Sequence, residues 1–361
     1  MKNKKGIHFT KDILIRTLLT TLIATIFCLV YFFQFEIICF FDKTNYSAIA
    51  KSDFEVCFFD VGQGDSTYIR YKDISILIDA GPSSSSKALV KDLKDVNRGK
   101  EIDYFFVTHP DSDHTGGGEE VFKNFNVKNF YRPVILSSTE YSKYGDNKGY
   151  GVDDTIDFDK TIMAGYEEKD CQMVDTMSDR ILFEGEFALD VLYPTNISDV
   201  SPSNSNSYST VIKVIYGSFS YLFMADANFT IENKLLSEYG EILDCDVLKV
   251  AHHGSKYATS SDFLEVVTPR YAIISVGKSG LNIGHAGEEL KDRLNAVEAK
   301  IYLTYDSKNI LFGNDIDYII FTFEDLPNIH IGIISVVCAM IILLIWGIRV
   351  PQKAKKIKNI N

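Results

Sequence analysis

The sequence contains few cysteines, and their spacing indicates neither a disulfide framework nor a metal site. Six cysteines occur in 361 residues, without a C-x-x-C pair or the regular spacing of a disulfide framework. This excludes a small disulfide-stabilised domain and a zinc site built from cysteine thiolates. The composition, with 46% hydrophobic and 24% charged residues, also excludes a disordered chain and a collagen-like rod. It fits one large globular domain or two small ones.

Positive charge is also scarce. Lys and Arg total 37 against 49 Asp and Glu, which gives a formal net charge of -12 at pH 7. The two ends of the chain carry a net positive charge, so the middle is more acidic than this total indicates. An acidic surface repels nucleic acids, and any contact with a polyanion must therefore be confined to a local site or a metal centre.

Charged residues are absent from two long apolar runs that lie just inside the basic ends. Residues 17–33 and 329–348 contain no Asp, Glu, Lys or Arg. With their neighbours, both provide the roughly 20 residues that an α-helix needs to span a bilayer. A cleavable signal peptide is the alternative for the first run, but no small-x-small cleavage motif follows it. A buried core helix is the alternative for the second run. We expect a transmembrane helix at each end.

The basic flanks also predict the orientation of these helices and the domain boundaries. Because positive residues favour the cytoplasmic side, we expect both termini in the cytoplasm and the intervening domain outside it. Residues 1–41 are then a basic tail with a membrane anchor, and residues 42–328 an extracytoplasmic domain. Residues 329–361 are a second transmembrane helix with a basic tail. The predicted location is the cell membrane.

Within the middle domain, short apolar runs alternate with amphipathic helical patterns. Hairpins begin each half and alternating helices and strands follow, which is typical of two sheets packed between helices. One hairpin is predicted over residues 210–226, with its turn at Gly217 and Ser218. Residues 136–179 lose this periodicity and are rich in Tyr, Gly, Asp and Ser. We expect an insertion or lid there rather than a core element.

The densest group of candidate metal ligands is the segment THPDSDHTGG at residues 108–117, which follows the apolar strand YFFV. It holds two of only seven histidines in the chain. His109 and Asp111 alternate on an extended segment and can reach one ion, whereas Asp113 and His114 can approach a second ion from the turn that follows. This spacing predicts a pair of metal ions, against the alternative of a solvated acidic loop.

Two further apolar strands end in candidate ligands. The segment YLFMAD ends at Asp226, and the segment VLKVAHHG contains His252 and His253. Asp226 alone would be interpreted as a helix cap, but together with the other strand ends it is predicted to bridge two ions. We prefer His252 as the ligand of the second ion because it leaves the strand first. His253 would then orient it or bind substrate.

Six short motifs follow one another along the middle domain. They are FDVGQGDS at 59–66, ILIDAG at 76–81, THPDSDHTGG, LFMADA at 222–227, LKVAHHGSK at 248–256, and ISVG at 274–277 followed by GHA at 284–286. Their order resembles that of the metallo-β-lactamase-fold domain of ComEC-like DNA-uptake proteins. The resemblance covers nearly the whole middle domain. It implies an α/β fold, the αββα four-layer sandwich of the metallo-β-lactamase fold, with a dinuclear metal site.

The resemblance also implies roles for individual residues. Its ligand motifs match His109, Asp111, Asp113, His114, Asp226 and one of His252 and His253. Asp79 matches a structural aspartate after an early strand, and Asp65 matches a carboxylate near the cleft. His285 matches a late histidine that is a proton donor, a substrate contact or a cap.

The chain departs from the usual metallo-β-lactamase pattern at the first ion. No histidine occurs between His114 and His252, and Asp111 replaces the second imidazole of H-x-H-x-D-H. Three residues of the SNSNS run are the candidates to face the first ion instead: Asn204, Asn206 and Ser207. An oxygen-rich site favours Mn²⁺ or Mg²⁺, whereas mixed ligation also suits Zn²⁺. We therefore expect two divalent metal ions, either zinc or manganese.

Two bound cations explain how an acidic protein can act on phosphodiesters, because they lower the pKa of a bridging water that becomes the nucleophile. Asp113 can accept its proton. The leading hypothesis is a membrane-anchored metal-dependent hydrolase that cleaves phosphodiesters, nuclease-like by resemblance, through a metal-bound hydroxide. Its expected partners are the membrane and a phosphodiester substrate, either DNA or an envelope polymer. The sequence does not define an oligomeric state.

Two alternatives stay open. A cell-envelope esterase acting on teichoic acid or phosphorylcholine linkages is favoured by the acidic charge of the middle domain. A non-catalytic, metal-stabilised binding subunit of an envelope complex is compatible with the missing histidine.

Overall fold

The computed structural model of the chain describes residues 53–97, 99, 101–307, 309–313 and 319–320, together with Leu18 and Thr20. Apart from those two residues, the predicted membrane segments at 17–33 and 329–348 lie outside the described residues. In the described part of the chain, no helix is both long and apolar enough to cross a membrane.

The first sheet has eight strands. They are β1 (Phe54–Phe58), β2 (Thr67–Tyr71), β3 (Ile74–Ile78), β4 (Glu101–Phe106), β5 (Asn126–Arg132), β8 (Gln172–Asp175), β16 (Ile310–Phe312) and β17 (Ile319–Ile320). The spatial order is β17-β16-β1-β2-β3-β4-β5-β8. Strands β1 to β3 form an antiparallel meander, whereas β3, β4, β5 and β8 run parallel.

The second sheet has seven strands, in the spatial order β15-β14-β13-β12-β11-β10-β9. They are β9 (Asp179–Glu184), β10 (Phe187–Tyr193), β11 (Val211–Tyr216), β12 (Phe219–Phe223), β13 (Val247–Lys249), β14 (Tyr271–Ile274) and β15 (Lys300–Leu303). The hairpin predicted over residues 210–226 is confirmed as β11 and β12. Its turn contains Gly217 at a φ of 58°, a conformation that glycine adopts without steric cost.

Helices connect the strands, and several of them cover the outer faces of the two sheets. They are α1 (Ser86–Val96), α2 (Ser112–Thr115), α3 (Gly118–Asn124), α4 (Ser138–Tyr144), α5 (Ile156–Glu167), α6 (Phe229–Tyr239), α7 (Ser261–Val267), α8 (Lys278–Asn282), α9 (Glu288–Ala296) and α10 (Thr304–Ser307). Leu235, Phe263 and Leu290, from α6, α7 and α9, pack with Leu222 and Leu248 of the second sheet.

The inner faces of the two sheets bury a shared apolar layer. Phe58 of the first sheet stacks against Phe223 of the second, with ring centroids 5.9 Å apart. In β4, Phe106 belongs to this layer, whereas its neighbour Phe105 contacts Phe122 of α3 on the outer face. This alternation follows from the two-residue period of a strand that is buried on both faces. The predicted helix–sheet–sheet–helix sandwich is therefore confirmed for the described residues.

Residues 136–179 contain more regular structure than their composition predicts. The segment includes α4, α5, the short parallel strands β6 (Leu136–Ser137) and β7 (Val152–Asp153), and β8 at the edge of the first sheet. Phe158 and Ile162 of α5 are buried, so this helix forms part of the outer layer. The expectation that the segment lacks core elements is wrong, because a helix with few apolar contacts has only a weak periodic signal. Its role as a lid stays a prediction.

Candidate metal centre

The centre lies where strands of both sheets end. Strands β3 and β4 are parallel, so Asp79 and the segment 108–117 leave the first sheet at one edge. Strands β12 and β13 are also parallel, and Asp226, His252 and His253 follow their ends. These two edges meet at the centre. Open α/β sheets likewise have their sites beyond the carboxyl ends of the strands.

Asp79 fixes the loop that follows β4. Its carboxylate accepts hydrogen bonds from the backbone N–H and the hydroxyl of Thr108, each at 2.8 Å. Its Oδ2 also lies 2.7 Å from Nδ1 of His114. A carboxylate at Nδ1 orients an imidazole ring and leaves Nε2 free to bind a metal. This geometry accounts for the structural role that the resemblance implied for Asp79.

A first group of candidate ligands consists of His109, Asp111 and Asp226, whose ligand atoms all lie within 4.8 Å of one another. Nε2 of His109 is 3.6 Å from Oδ2 of Asp111 and 3.8 Å from Oδ2 of Asp226. Nδ1 of His109 lies 3.0 Å from the hydroxyl of Thr108, which sets the ring orientation. These donors can hold one cation.

A second group consists of Asp65, His114, Asp226 and His253, whose ligand atoms also lie within 4.8 Å of one another. Nε2 of His114 is 3.3 Å from Nε2 of His253 and 3.2 Å from Oδ1 of Asp226. Oδ2 of Asp113 lies 3.2 Å from the same nitrogen of His253. Asp226 thus presents Oδ2 to the first group and Oδ1 to the second, as expected of a bridging carboxylate.

The structure places His253, rather than His252, in the second group. His253 is buried in the second group, with 1% of its side chain exposed, and its Nδ1 lies 2.9 Å from the carbonyl oxygen of Ser275. His252 is 28% exposed, and its Nε2 lies 3.6 Å from Oδ2 of Asp226. Both residues have left-handed φ angles of 48° and 51° in the tight turn Ala251–Gly254, and this turn directs the second ring inward. Our preference for His252 in the second group is therefore corrected in favour of His253.

Lys249 was not singled out from the sequence, although it is the charged residue of an otherwise apolar run. Its Nζ lies 2.7 Å from Oδ2 of Asp65, and both side chains are buried. Oδ1 of Asp65 lies 3.3 Å from Nδ1 of His253. Lys249 therefore holds Asp65 in its position within the second group.

Three buried atoms of the centre have no hydrogen-bond partner among the described residues: Asp65 Oδ1, His109 Nε2 and Asp226 Oδ1. Buried polar atoms without partners cost free energy, and divalent cations satisfy both carboxylate oxygens and imidazole nitrogens. The residues present therefore fit a divalent metal centre.

The charges of the centre are strongly coupled. Burial alone would raise the pKa of Asp226, but His253 and His114 hold it well below its ordinary value. Burial alone would lower the pKa of His253, but Asp226 and Asp65 raise it to about 10. Burial opposes the shift of Asp113 as well, yet hydrogen bonding to His253 lowers its pKa to about 2. A bound cation would replace the protons of these imidazoles.

His285 lies at the rim of the centre. Its ring centroid is 5.6 Å from that of His252 and 6.0 Å from that of His253. Nδ1 of His285 lies 3.4 Å from Nε2 of Gln63, whose Oε1 accepts the backbone N–H of Gly277. The amide can only donate to Nδ1, so the neutral ring carries its proton on Nε2. Burial first, and then His253, lower the pKa of His285.

Comparison with known proteins identifies sequences to which this chain is similar. The profile of the metallo-beta-lactamase superfamily matches residues 59–278. ComE operon protein 3 of Bacillus subtilis is 26% identical over 63% of this chain and 29% of its own length. Competence protein ComA of Neisseria gonorrhoeae is 26% identical over 74% of this chain and 33% of its own length. Recombination protein 2 of Haemophilus influenzae is 30% identical over 64% of this chain and 25% of its own length. The chain thus spans about a third or less of these relatives.

Proposed function

The chain belongs to the metallo-β-lactamase superfamily, and from this premise we propose that it is a membrane-anchored, metal-dependent hydrolase of phosphodiesters. The observation that carries the proposal is the shared carboxylate of Asp226, which faces both candidate ligand groups. Its buried Oδ1 has no hydrogen-bond partner within the described part of the chain. Such an arrangement suits two cations that share one ligand.

Two cations supply, when bound, activation of a water and stabilisation of the attacking and leaving oxygens of an in-line displacement. The residues around them divide the remaining tasks. Asp113 is 32% exposed and has a lowered pKa, so it is an anion at neutral pH that can accept a proton or bind a cation. The neutral ring of His285 carries its N–H on Nε2, and this group can donate a hydrogen bond that stabilises charge on the leaving oxygen. Asp79 and Lys249 hold the ring of His114 and the carboxylate of Asp65 in place.

The named relatives favour DNA as the substrate, since one of them is a competence protein. The net charge of -12 favours the second candidate, an esterase of teichoic acid or phosphorylcholine linkages in the cell envelope. Both substrates contain the same phosphodiester linkage. We therefore propose a phosphodiester as the bond that is cleaved, and the experiment decides whether DNA or an envelope polymer contains it.

The experiment uses the full chain, purified in detergent, stripped with chelator and then supplied with Mn²⁺ or Zn²⁺. We expect turnover of bis-p-nitrophenyl phosphate only with metal. Asp226→Asn should lower it by more than about 100-fold, because even groups beside metal ligands change activity by about 10–100-fold. Asp95→Asn changes an exposed carboxylate on α1 and is the matched control. Absence of metal-dependent turnover in the wild type would favour the non-catalytic binding subunit instead.

The choice of polymer and the membrane topology need separate measurements. Plasmid DNA and purified wall polymer, each tested as substrate, distinguish the nuclease from the esterase. For the topology, tags at either terminus of intact cells should be protected from external protease, whereas a tag inserted near Gly145 should be cleaved. A C-terminal tag that is accessible from outside would contradict the proposed two-helix anchor.

A further inference from the structure

The two ligand groups differ in the number of side chains that surround them. The second group combines two imidazoles with Asp226 and Asp65, and Asp113 lies beside it. The first group has one imidazole, from His109, with the carboxylates of Asp111 and Asp226, and the ring of His252 lies at its edge, with Nε2 3.6 Å from Oδ2 of Asp226. An ion held by three protein donors has open coordination positions, which water, substrate or a further side chain can fill.

The loop 204–210 lies against the first group. The side chain of Ser205 interacts with the carboxylate of Asp111. The backbone N–H and the hydroxyl of Thr210 both donate to the carbonyl oxygen of Thr108, at 3.1 and 3.2 Å. Thr108 directly precedes His109, so this loop is attached to the ligand strand on both sides of residues 206–209.

The three oxygen donors that we considered in this loop have different environments. Ser207 Oγ accepts from the N–H of Ser201 at 2.7 Å and donates to the carbonyl oxygen of Asn204 at 2.6 Å, so its hydroxyl is already used within the loop. Asn204 is exposed and pairs through its backbone with Ser201. Asn206 Oδ1 is buried and, among the described residues, has no hydrogen-bond partner, a property that only Asn206 has among the three candidates and that it shares in this loop with the hydroxyl of Ser209.

We propose that the side-chain oxygen of Asn206 is the fourth protein ligand of the first ion. This inference rests on the metal centre of the proposed function, and it identifies which of the three candidates takes the position of the missing histidine. A carboxamide oxygen is a hard, neutral donor, so the first ion then has one nitrogen and three oxygen ligands. Such a set favours Mn²⁺ over Zn²⁺.

The test is a titration of the metal-free full chain in detergent with Mn²⁺ alone, with free Mn²⁺ measured by electron paramagnetic resonance. The wild type should bind two ions. Asn206→Ala should weaken one of the two sites by at least about tenfold and leave the other unchanged. Asn206→Asp retains an oxygen donor and should keep the site or tighten it. Asn204→Ala, in the same loop, is the matched control and should bind as the wild type does.

The outcomes separate this inference from the proposed function. Binding of two Mn²⁺ ions by Asn206→Ala with wild-type affinities overturns the ligand role, even if phosphodiester hydrolysis stays intact. An unchanged affinity combined with a raised KM would assign Asn206 to substrate binding and also overturns it. A wild-type chain that binds fewer than two ions overturns both proposals. The comparison with Asn206→Ala requires that this variant and the wild type melt at the same temperature in chelator, which shows that the variant folds. If the alanine variant melts at a lower temperature, Asn206→Asp provides the binding comparison instead.

Discussion

Lys249→Met tests whether a buried ion pair supports the metal centre. The side chains of Lys249 and Asp65 are only 3% and 7% exposed, and their charged atoms lie 2.7 Å apart. Methionine keeps the length of the lysine side chain but removes its charge, so Asp65 retains a buried carboxylate without its cation. Removing one partner of a buried ion pair costs about 3–5 kcal/mol. We expect the metal-free protein to lose stability of that order.

The loss of stability in Lys249→Met should depend on metal and on pH. At about 2–4 °C per kcal/mol for a domain of this size, the melting temperature in chelator should fall by about 6–20 °C. The fall should be smaller in excess metal, because Asp65 belongs to the second ligand group and a cation there compensates part of the missing charge. Burial favours the neutral form of Asp65, and Lys249 is the main group that lowers its pKa. Without Lys249 this carboxylate protonates more readily, so the penalty should shrink as the pH falls.

Thermal unfolding of the full chain in detergent, with chelator or with Mn²⁺, measures these effects. Lys249→Arg keeps the charge and should lose less stability than Lys249→Met. The double variant Asp65→Asn with Lys249→Met removes the unpaired charge and should recover part of the loss. If Lys249→Met melts at the wild-type temperature in chelator, the reasoning from buried charge is wrong at this site.

Three further predictions address the centre directly. His109→Ala and Asp226→Ala should each remove at least one ion by metal analysis, and a wild type that melts equally with and without metal would contradict the centre, since a hundredfold excess over Kd adds about 2.7 kcal/mol. Metal affinity should rise with pH, because an ion must displace the proton of His253, whose pKa is about 10. The stability of the metal-free chain should show the opposite trend and fall as the pH rises from about 6.5 towards 10. A metal Kd that does not vary with pH would contradict the first expectation. Gln63→Leu should slow hydrolysis of alkyl phosphodiesters, whose leaving oxygen depends more on a hydrogen bond from Nε2–H of His285, to a greater extent than that of p-nitrophenyl esters; equal losses on both substrates would exclude this role.

The sequence predicts those parts of the centre that depend on local pattern. His109 and Asp226 each follow a strongly apolar strand, and the carboxyl ends of parallel strands in a sheet lie at one edge. Recognising the strands therefore places each residue at the edge of its own sheet, whereas their proximity also requires the two sheets to dock. The sharing of Asp226 between two groups follows from the order of the strand ends, and the structure places its two oxygens accordingly.

Other parts depend on backbone conformation or on distant partners. Which of His252 and His253 faces the core is set by two left-handed residues in a row, which the apolar pattern of β13 does not encode. The role of Lys249, in the second sheet, depends on Asp65, which lies between β1 and β2 of the first sheet. A single lysine in an apolar run gives no indication of this partner. The buried amide oxygen of Asn206 likewise becomes distinguishable from Ser207 only when the hydrogen bonds of the loop are known.

The origin of the ligands in both sheets has a consequence for folding. His114 and His253 lie 139 residues apart in the sequence, and their nitrogens approach to 3.3 Å only after the two sheets have docked. An ion held by both rings is thus a reversible cross-link that closes a very long loop. Metal binding can stabilise the chain only late in folding, after the entropy of closing that loop has been lost. Neither half of the chain alone can assemble the second group. Any motion that separates the sheets must release the ion, so the rate of metal loss into chelator sets an upper limit on how often the sandwich opens.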